Sequence, residues 1–183
     1  MSAPVCVIVG AGPGNGAAFA RRFSSAGYQV ALLARRQEGL DTLTREIAGT
    51  RAYAYDATAP ADASRVFARI REEVGPPQSL IYNASTREFG DIDVTSPEAF
   101  ERAWRVNAYG CLLAAQQVIP AMRAQGEGSI IVIGATASLK GAAGFVAFAS
   151  AKAAQRSLAQ SLARQPRSAW TFELDLRPFG ESW

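Results

Sequence analysis

The first group of residues in this chain that could do chemistry forms a glycine-rich turn at residues 7–20, VIVGAGPGNGAAFA. Gly10, Gly14 and Gly16 lie between an apolar run and the start of a helical pattern. Glycine allows a tight turn and a close approach of the backbone to a pyrophosphate. A helix that starts here directs free N–H groups and a positive dipole end at the phosphates. A turn without a ligand is the alternative, but its place between strand and helix favours dinucleotide binding.

Two arginines after the second apolar run bear on which dinucleotide is bound. The run ends LLARR, so that Ala34 is followed by Arg35 and Arg36. A carboxylate here would bind the ribose 2′-hydroxyl of NAD(H) and repel a 2′-phosphate. A guanidinium instead binds phosphate through paired, charge-assisted hydrogen bonds. The pattern therefore predicts NADP(H) rather than NAD(H), with Arg35 as the phosphate ligand; the alternative is a pair of solvated arginines that open a helix.

The Gly-x-x-x-Gly-x-Gly spacing resembles that of the short-chain dehydrogenase/reductase family. Other motifs of that family are matched by Asp56 in AYDAT, Asn83 and Ala84 in YNAS, Asn107 in RVNAYG and Lys152 in FASAK. In YNAS, Tyr82 and Ser85 depart from the family pattern. The resemblance implies that Asn107 and Lys152 are catalytic. It also implies that the cofactor is bound by Gly10, Gly14, Asn15, Gly16, Arg35, Asp56, Asn83, Ala84 and Lys152.

The chain departs from the family where the proton is transferred. The family serine corresponds to Ala135, and the family tyrosine, four residues before the lysine, to Phe148. The enoyl reductase branch places its tyrosine seven residues before the lysine, and that position is Phe145. In the family the tyrosine protonates the carbonyl oxygen as hydride arrives, the serine hydrogen-bonds that oxygen, the lysine holds the ribose, and the asparagine holds a water relay. Losing a general acid costs roughly 10²- to 10⁴-fold in rate.

Nearby hydroxyl groups are candidates to replace the missing ones. Thr136 and Ser138 follow Ala135 and are candidate oxygen donors; alternatively, they are loop hydroxyls that bind the backbone. Tyr109 is expected to be a packing residue. Ser150 lies on the lysine helix but points about 160° away from the lysine.

These residues need a framework, and the sequence predicts alternating strands and helices. Strands are predicted at VCVIVG, QVALLA, RAYAY, SLIYNAS and SIIVIG, with helical patterns between them. The region before the fifth strand is predicted to form two helices, PEAFERAWRVN and AYGCLLAAQQVIPAMRAQG. Strands separated by helices predict an α/β fold, a Rossmann-like doubly wound parallel sheet with helices on both faces.

The chain is expected to form a single dinucleotide-binding domain, residues 1–183, without part of the C-terminal substrate-loop region. After the lysine helix it reaches one strand-like segment, WTFELDL, almost at once. A true deletion and an omitted substrate loop both remain open. Substrate identity is not indicated by the sequence.

Composition limits the other classes of function. The net charge is +3 with scattered arginines, so no nucleic-acid partner is expected. The chain has no histidine, which excludes a Ser-His-Asp triad and most zinc sites. Its two cysteines, Cys6 and Cys111, lack metal or disulfide spacing and fit a reducing compartment. The N-terminus resembles neither a signal peptide nor a membrane span. We therefore expect a cytoplasmic protein with a small-molecule substrate and no metal or membrane partner.

Two functions remain open. One is an NADP(H)-dependent oxidoreductase that acts on a carbonyl or alcohol with atypical or weakened proton transfer. The other is an NADP(H)-binding pseudoenzyme that senses cofactor or scaffolds a complex. Small residues on the lysine helix, together with the family resemblance, predict a homodimer or homotetramer.

Overall fold

The computed structural model describes residues 3–163, which form one parallel sheet with helices on both faces. The strands are β1 (Val5–Val9), β2 (Gln29–Ala34), β3 (Thr50–Ala54), β4 (Ser79–Tyr82) and β5 (Ser129–Val132). The helices are α1 (Asn15–Ser25), α2 (Gln37–Glu46), α3 (Pro60–Glu73), α4 (Pro97–Trp104), α5 (Gly110–Gln125) and α6 (Val146–Ala163). The strand order is β3-β2-β1-β4-β5 with every pair parallel, which confirms the predicted doubly wound fold.

The sheet separates two hydrophobic cores, and β1 contributes to both. Val5, Val7 and Val9 pack in the core that contains α3 and α5, whereas Cys6 and Ile8 pack in the core that contains α1 and α2. Successive side chains of a strand point to opposite faces, so a central strand covered on both sides must be apolar throughout. The continuous run VCVIV meets this requirement, and all five of its residues are buried.

The helices cover the sheet with the apolar faces that their sequence spacing predicts. On α2, Leu40 and Leu43 are buried, and Ile47 follows them into the same core. On α3 the buried residues are Ala63, Val66, Phe67 and Ile70. Recurrence at three- and four-residue intervals puts such side chains on one stripe of a helix, which then buries against the sheet.

The two helices predicted before β5 are instead one continuous helical run. A π-helical segment, Arg105–Tyr109, joins α4 directly to α5 and contains Asn107. The side chain of Tyr82 contacts this segment from β4, and its hydroxyl donates a hydrogen bond to the Val106 carbonyl at 2.5 Å. Gly110 follows, and a Cβ there would collide with the Tyr82 hydroxyl. π-Helical turns are rare and often lie at functional sites.

The predicted strand-like segment WTFELDL, residues 170–176, lies outside the described residues. Within residues 3–163, no helix has both the length and the apolar character needed to cross a membrane.

Candidate functional site

The candidate site lies where the strand order reverses, at the carboxyl ends of β1 and β4. The loops after these two strands run to opposite faces of a doubly wound sheet, which opens a crevice between them. Gly10 begins the loop after β1, and its N–H donates to the Leu33 carbonyl at 2.8 Å. Asn83 begins the loop after β4, and its side-chain amide donates to the Gly10 carbonyl at 2.8 Å. The structure therefore joins two predicted site residues that are 73 positions apart.

Gly10 must be glycine for two independent reasons. Its φ of 88° lies in the left-handed region that side chains disfavour. A Cβ there would also collide with the backbone of Ala84 and lie 2.8 Å from the Asn83 carbonyl carbon. Gly16 is restricted in the same way, because a Cβ would lie 2.8 Å from the Ala11 Cα. These glycines let β1, α1 and the β4 loop approach each other closely.

Gly12 and Gly14 differ from these two because they border open space. A Cβ added to either residue would meet no atom within 4 Å. Gly14 is the N-cap of α1, and Asn15 begins the helix with an exposed side chain. The first N–H groups of a helix have no partner within the helix and favour anions. The turn thus forms an open cradle of backbone at a helix N-terminus, which fits a pyrophosphate.

The arginine pair lies at the end of β2, the strand next to the glycine turn. Arg35 follows the last residue of β2, and Arg36 is the N-cap of α2. Both side chains are exposed. No acidic side chain within residues 3–163 forms an ion pair with either of them. Their charges are therefore available to an external anion.

Asp56 follows β3 and organises the turn that leads into α3. One of its carboxylate oxygens accepts hydrogen bonds from the Thr58 N–H at 2.9 Å and from the Thr58 hydroxyl at 2.8 Å. The backbone N–H of Asp56 donates to the Asp62 carboxylate at 3.0 Å. The Arg65 guanidinium and this backbone bond hold the pKa of Asp62 below its usual range. Asp56 thus lies at the carboxyl edge of the sheet, in a hydrogen-bonded turn with its side chain exposed.

Asn107 is buried in the π-helical segment, and both ends of its amide are engaged. Its Oδ1 accepts a hydrogen bond from the Ser85 hydroxyl at 2.8 Å. Its Nδ2 donates to the Ala103 carbonyl at 2.9 Å and to the Thr86 carbonyl at 3.3 Å. These bonds tie the loop after β4 to the helical run. Ser85, a departure from the family motif, is therefore a partner of the predicted catalytic asparagine.

Lys152 is only 3% exposed, on the inner face of α6. Its ammonium donates to the Ile133 carbonyl and to the Gln155 Oε1, each at 2.9 Å. No carboxylate within residues 3–163 pairs with it. Burial lowers the pKa of Lys152 to about 8, against an opposing effect of Cys111. The charge is thus held by two neutral acceptors, in a place where the charged form is costly.

Phe148 lies one turn before Lys152, with its ring centroid 6.0 Å from the lysine Nζ. It belongs to an aromatic cluster with Phe89 and Phe145, at centroid distances of 5.8 Å and 6.5 Å. A backbone bridge between Gly90 and Phe145 brings the loop after β4 to the start of α6. The Gly144 N–H also donates to the Asp91 carboxylate at 2.5 Å. The Phe148 ring thus lies beside Lys152, at the position where the sequence resemblance predicts the family tyrosine.

Among the candidate replacement hydroxyls, Thr136 and Ser138 lie together in a short 3₁₀ turn, Thr136–Ser138, after β5. Ser138 lines a shallow groove with Ser150 and Ala153, on a different side of α6 from the lysine. The Ser150 hydroxyl donates to the Val146 carbonyl at 2.8 Å. Tyr82 is fully buried with its hydroxyl engaged by the Val106 carbonyl. Tyr109 stacks on Trp104 at 5.6 Å, in agreement with a packing role.

Helix α6 reaches the site through small side chains. Ala147 and Ala151 pack with Ala103 of α4 in a buried cluster. Alanine lets two helices approach closely, so that this contact brings the Lys152 helix against the run that carries Asn107. At least part of the small-residue pattern on α6 is therefore explained by packing within the chain.

Sequence reasoning missed two residues that contact the candidate site, Ser85 and Gln155. In the sequence Ser85 is only a departure from the family motif, because its bond to Asn107 spans 22 positions. Gln155 is 1% exposed and lies three positions after Lys152. A polar residue on the buried stripe of a helix, one turn from a lysine, was the available signal.

Comparisons with known proteins agree with this geometry. The family model described as short chain dehydrogenase matches residues 4–169. The 2-(R)-hydroxypropyl-CoM dehydrogenase of Xanthobacter autotrophicus (strain ATCC BAA-1158 / Py2) is 33% identical over 171 residues, covering 87% of this chain and 67% of that protein. The oxidoreductase asL5 of Sarocladium schorii is 30% identical over 164 residues, covering 89% and 66%.

The fold agrees as well. The crystal structure of a short-chain dehydrogenase from Streptomyces avermitilis matches with a TM-score of 0.84 at 29% identity, covering 88% of this chain and 60% of that one. This chain spans about two thirds of the length of these two relatives. The family match runs from β1 through α6 and thus includes the glycine turn, Asn107 and Lys152. The chain belongs to the short-chain dehydrogenase family.

Proposed function

We propose that this protein is an NADP(H)-dependent oxidoreductase that acts on a carbonyl or alcohol substrate by an atypical, weakened proton transfer. The observation that carries the proposal is the open glycine cradle at the sheet's switch point, with an exposed arginine pair at the end of the neighbouring strand. A pyrophosphate suits the cradle, and a 2′-phosphate suits guanidinium groups that have no acidic partner among the described residues.

The residues of the cradle and its surroundings divide between the two halves of the cofactor. Gly14, Asn15 and Gly16 at the start of α1 would hold the pyrophosphate. Arg35 would hold the 2′-phosphate, and Asp56 lies at the edge where the family places the adenine. Asn83, Ala84 and Lys152 would hold the nicotinamide half. The bound nicotinamide supplies a hydride donor or acceptor.

Proton transfer is where this chain departs from its family. Lys152 keeps its ammonium at the site through two neutral acceptors, and Asn107 fixes the π-helical segment beside it. Phe148 and Ala135 offer no hydroxyl to a developing oxyanion. A reaction here would lack one general acid and one oxyanion donor, so its turnover should be slow compared with an enzyme that has both.

The second candidate is an NADP(H)-binding pseudoenzyme that senses cofactor or scaffolds a complex. The ring cluster of Phe89, Phe145 and Phe148 favours it, because these side chains can bind but cannot donate a proton. The buried Lys152 ammonium favours the oxidoreductase. A protein that only binds the cofactor gains little from a buried charge that is costly to keep.

Turnover distinguishes the two candidates. NADPH oxidation should be followed by absorbance with a panel of aldehydes and ketones, and NADP⁺ reduction with the matching alcohols. Slow, saturable oxidation by at least one member, abolished in Lys152→Ala, supports the oxidoreductase. Tight NADPH binding with no turnover across the panel supports the pseudoenzyme.

The remaining expectations are also proposals. We propose a cytoplasmic homodimer or homotetramer with a small-molecule substrate and no nucleic-acid or membrane partner. Ala153 and Ala154 are among the small α6 residues that keep exposed surface for a helix contact between subunits. Light scattering after size exclusion tests the assembly: a multiple of the 19.4 kDa chain supports it, and a monomer at micromolar concentration contradicts it.

A further inference from the structure

Gln155 is a buried amide that the surrounding residues satisfy only in part. It is 1% exposed on α6, one turn after Lys152, and its Oε1 accepts the lysine ammonium at 2.9 Å. A lysine ammonium only donates, so the amide must direct its oxygen at Lys152 and its Nε2 away. The Nε2 then finds no acceptor among residues 3–163.

This arrangement separates two possible reasons for a glutamine here. A glutamine kept for packing would satisfy both ends of its amide, or an apolar residue of similar shape would serve as well. Within the described part of the chain, Gln155 instead leaves two N–H donors unpaired in a buried position, and the interaction it keeps is with Lys152. The unpaired Nε2 lowers the stability of the fold locally, whereas the Oε1 makes one contact with the predicted catalytic lysine.

We propose that Gln155 is a positioning residue for Lys152: together with the Ile133 carbonyl, it fixes the ammonium on the inner face of α6 beside Phe148. The significance of this contact for catalysis rests on the proposed function. The groups around the Lys152 Nζ come from three elements. The Ile133 carbonyl directly follows β5, the Phe148 ring and the Gln155 Oε1 belong to α6, and the Cys111 thiol belongs to α5.

Cys111 does not take over the role of Gln155. Its thiol is fully buried, and burial raises its pKa to about 12, so it is neutral at pH 7. Among the residues that the structure describes, no carboxylate forms an ion pair with the lysine. Loss of the Gln155 oxygen would therefore leave the charge with the Ile133 carbonyl and the face of a ring.

The experiment is a titration of the Lys152 side chain in the protein without added cofactor. The chain has two lysines, Lys140 and Lys152, so lysine-selective ¹⁵N labelling gives two Nζ signals, one of them an internal control. Gln155→Met, which keeps the side-chain length, should lower the pKa of Lys152 by about one unit, the scale of one hydrogen bond to a charged group. Gln155→Glu should raise it, because a carboxylate stabilises the ammonium.

Gln160→Met is the matched control, because it makes the same change eight positions after Lys152 on the same helix. It should leave the Lys152 pKa unchanged. An unchanged pKa in both Gln155→Met and Gln155→Glu would overturn the proposal. So would a lower unfolding temperature in Gln155→Met without a change in the lysine titration, because that result assigns Gln155 a packing role.

A second readout separates this inference from the proposed function. In Gln155→Met, the pH profile of NADPH binding or turnover should move to lower pH by the same amount as the Lys152 titration. If NADPH does not bind the unmodified protein, the proposed function fails, while the NMR titration still decides the role of Gln155.

Discussion

Replacing Lys152 by methionine is expected to stabilise the fold, although it removes a residue of the candidate site. The ammonium is 3% exposed and held by a carbonyl and a neutral amide, and burial lowers its pKa from 10.5 to about 8. The folded pKa thus lies below the unfolded one, so the unfolded chain binds more protons between these values. The cost of the buried charge is fully present below pH 8 and is relieved as the pH rises toward 10.5.

The size of the effect follows from the pKa difference. At 1.36 kcal/mol per pKa unit, the buried charge costs about 3 kcal/mol at pH 7. Lys152→Met removes this cost, but it also leaves the Ile133 carbonyl and the Gln155 Oε1 without their donor, at about 1 kcal/mol each. The free energy of unfolding at pH 7 should therefore rise by about 1 kcal/mol. The gain should shrink by about 1 kcal/mol at pH 9, where much of the folded lysine is already neutral.

The assay is urea unfolding followed by circular dichroism at pH 7 and pH 9. Cys6 and Cys111 also titrate differently in the two states, because burial raises the pKa of each thiol to about 12. Their contribution cancels in the difference between the unmodified protein and the variant. Lys140→Met, at an exposed lysine, is the matched control for the loss of a lysine side chain. A Lys152→Met protein that is less stable at pH 7, or a gain independent of pH, would refute the reasoning.

Three further predictions test the proposed cofactor site and the proposed loss of the catalytic hydroxyls. Arg35→Ala should weaken NADPH binding about 10- to 100-fold by calorimetry, the value of a charge-assisted phosphate contact, and leave NADH binding unchanged; equal losses for both cofactors would contradict the assignment. Gly10→Ala should destabilise the fold by more than about 3 kcal/mol in urea, because the cost of the strained backbone is added to the cost of the collision with the loop after β4. Gly27→Ala, at a φ of 86° with no atom within 4 Å of the new Cβ, should cost only about 1 to 2 kcal/mol; equal costs would show that the collision is relieved. Phe148→Tyr combined with Ala135→Ser should raise turnover about 10²-fold or more at unchanged NADPH affinity, and efficient turnover by the unmodified protein would show that another group donates the proton.

The arrangement of the sheet was predictable because it follows from local patterns. The run from Val5 to Val9 is apolar at every position, as expected for a strand covered on both faces. The helices between the strands show their buried stripes in the spacing of residues such as Leu40 and Leu43. Parallel strands joined by helices leave few topologies, and the glycine turn falls at the switch point of the one observed.

The details of the candidate site were less predictable, because they depend on contacts between distant residues. Asn107 lies in a π-helical turn that Tyr82, far away in sequence, holds through the Val106 carbonyl. The sequence there reads as two ordinary helices, because nothing local marks the extra residue in the turn. The bond between Ser85 and Asn107 likewise arises only when the loop after β4 meets the helical run.

The direction of individual side chains could not be predicted from the sequence either. Ser138 follows the position of the family serine closely enough to suggest a replacement, but the fold turns it into a groove beside Ser150. Gln155, in contrast, reads as an ordinary helix residue until the burial of α6 is known. Its contact with Lys152 was within reach of helical spacing, whereas its unpaired Nε2 required the packed structure.

Calorimetric titration of the purified protein with NADPH and, separately, with NADH tests the central claim most directly. The open glycine cradle and the exposed arginine pair predict tight NADPH binding and much weaker NADH binding. Binding of neither dinucleotide would contradict the cofactor assignment, and with it both the oxidoreductase and the cofactor-sensing alternative.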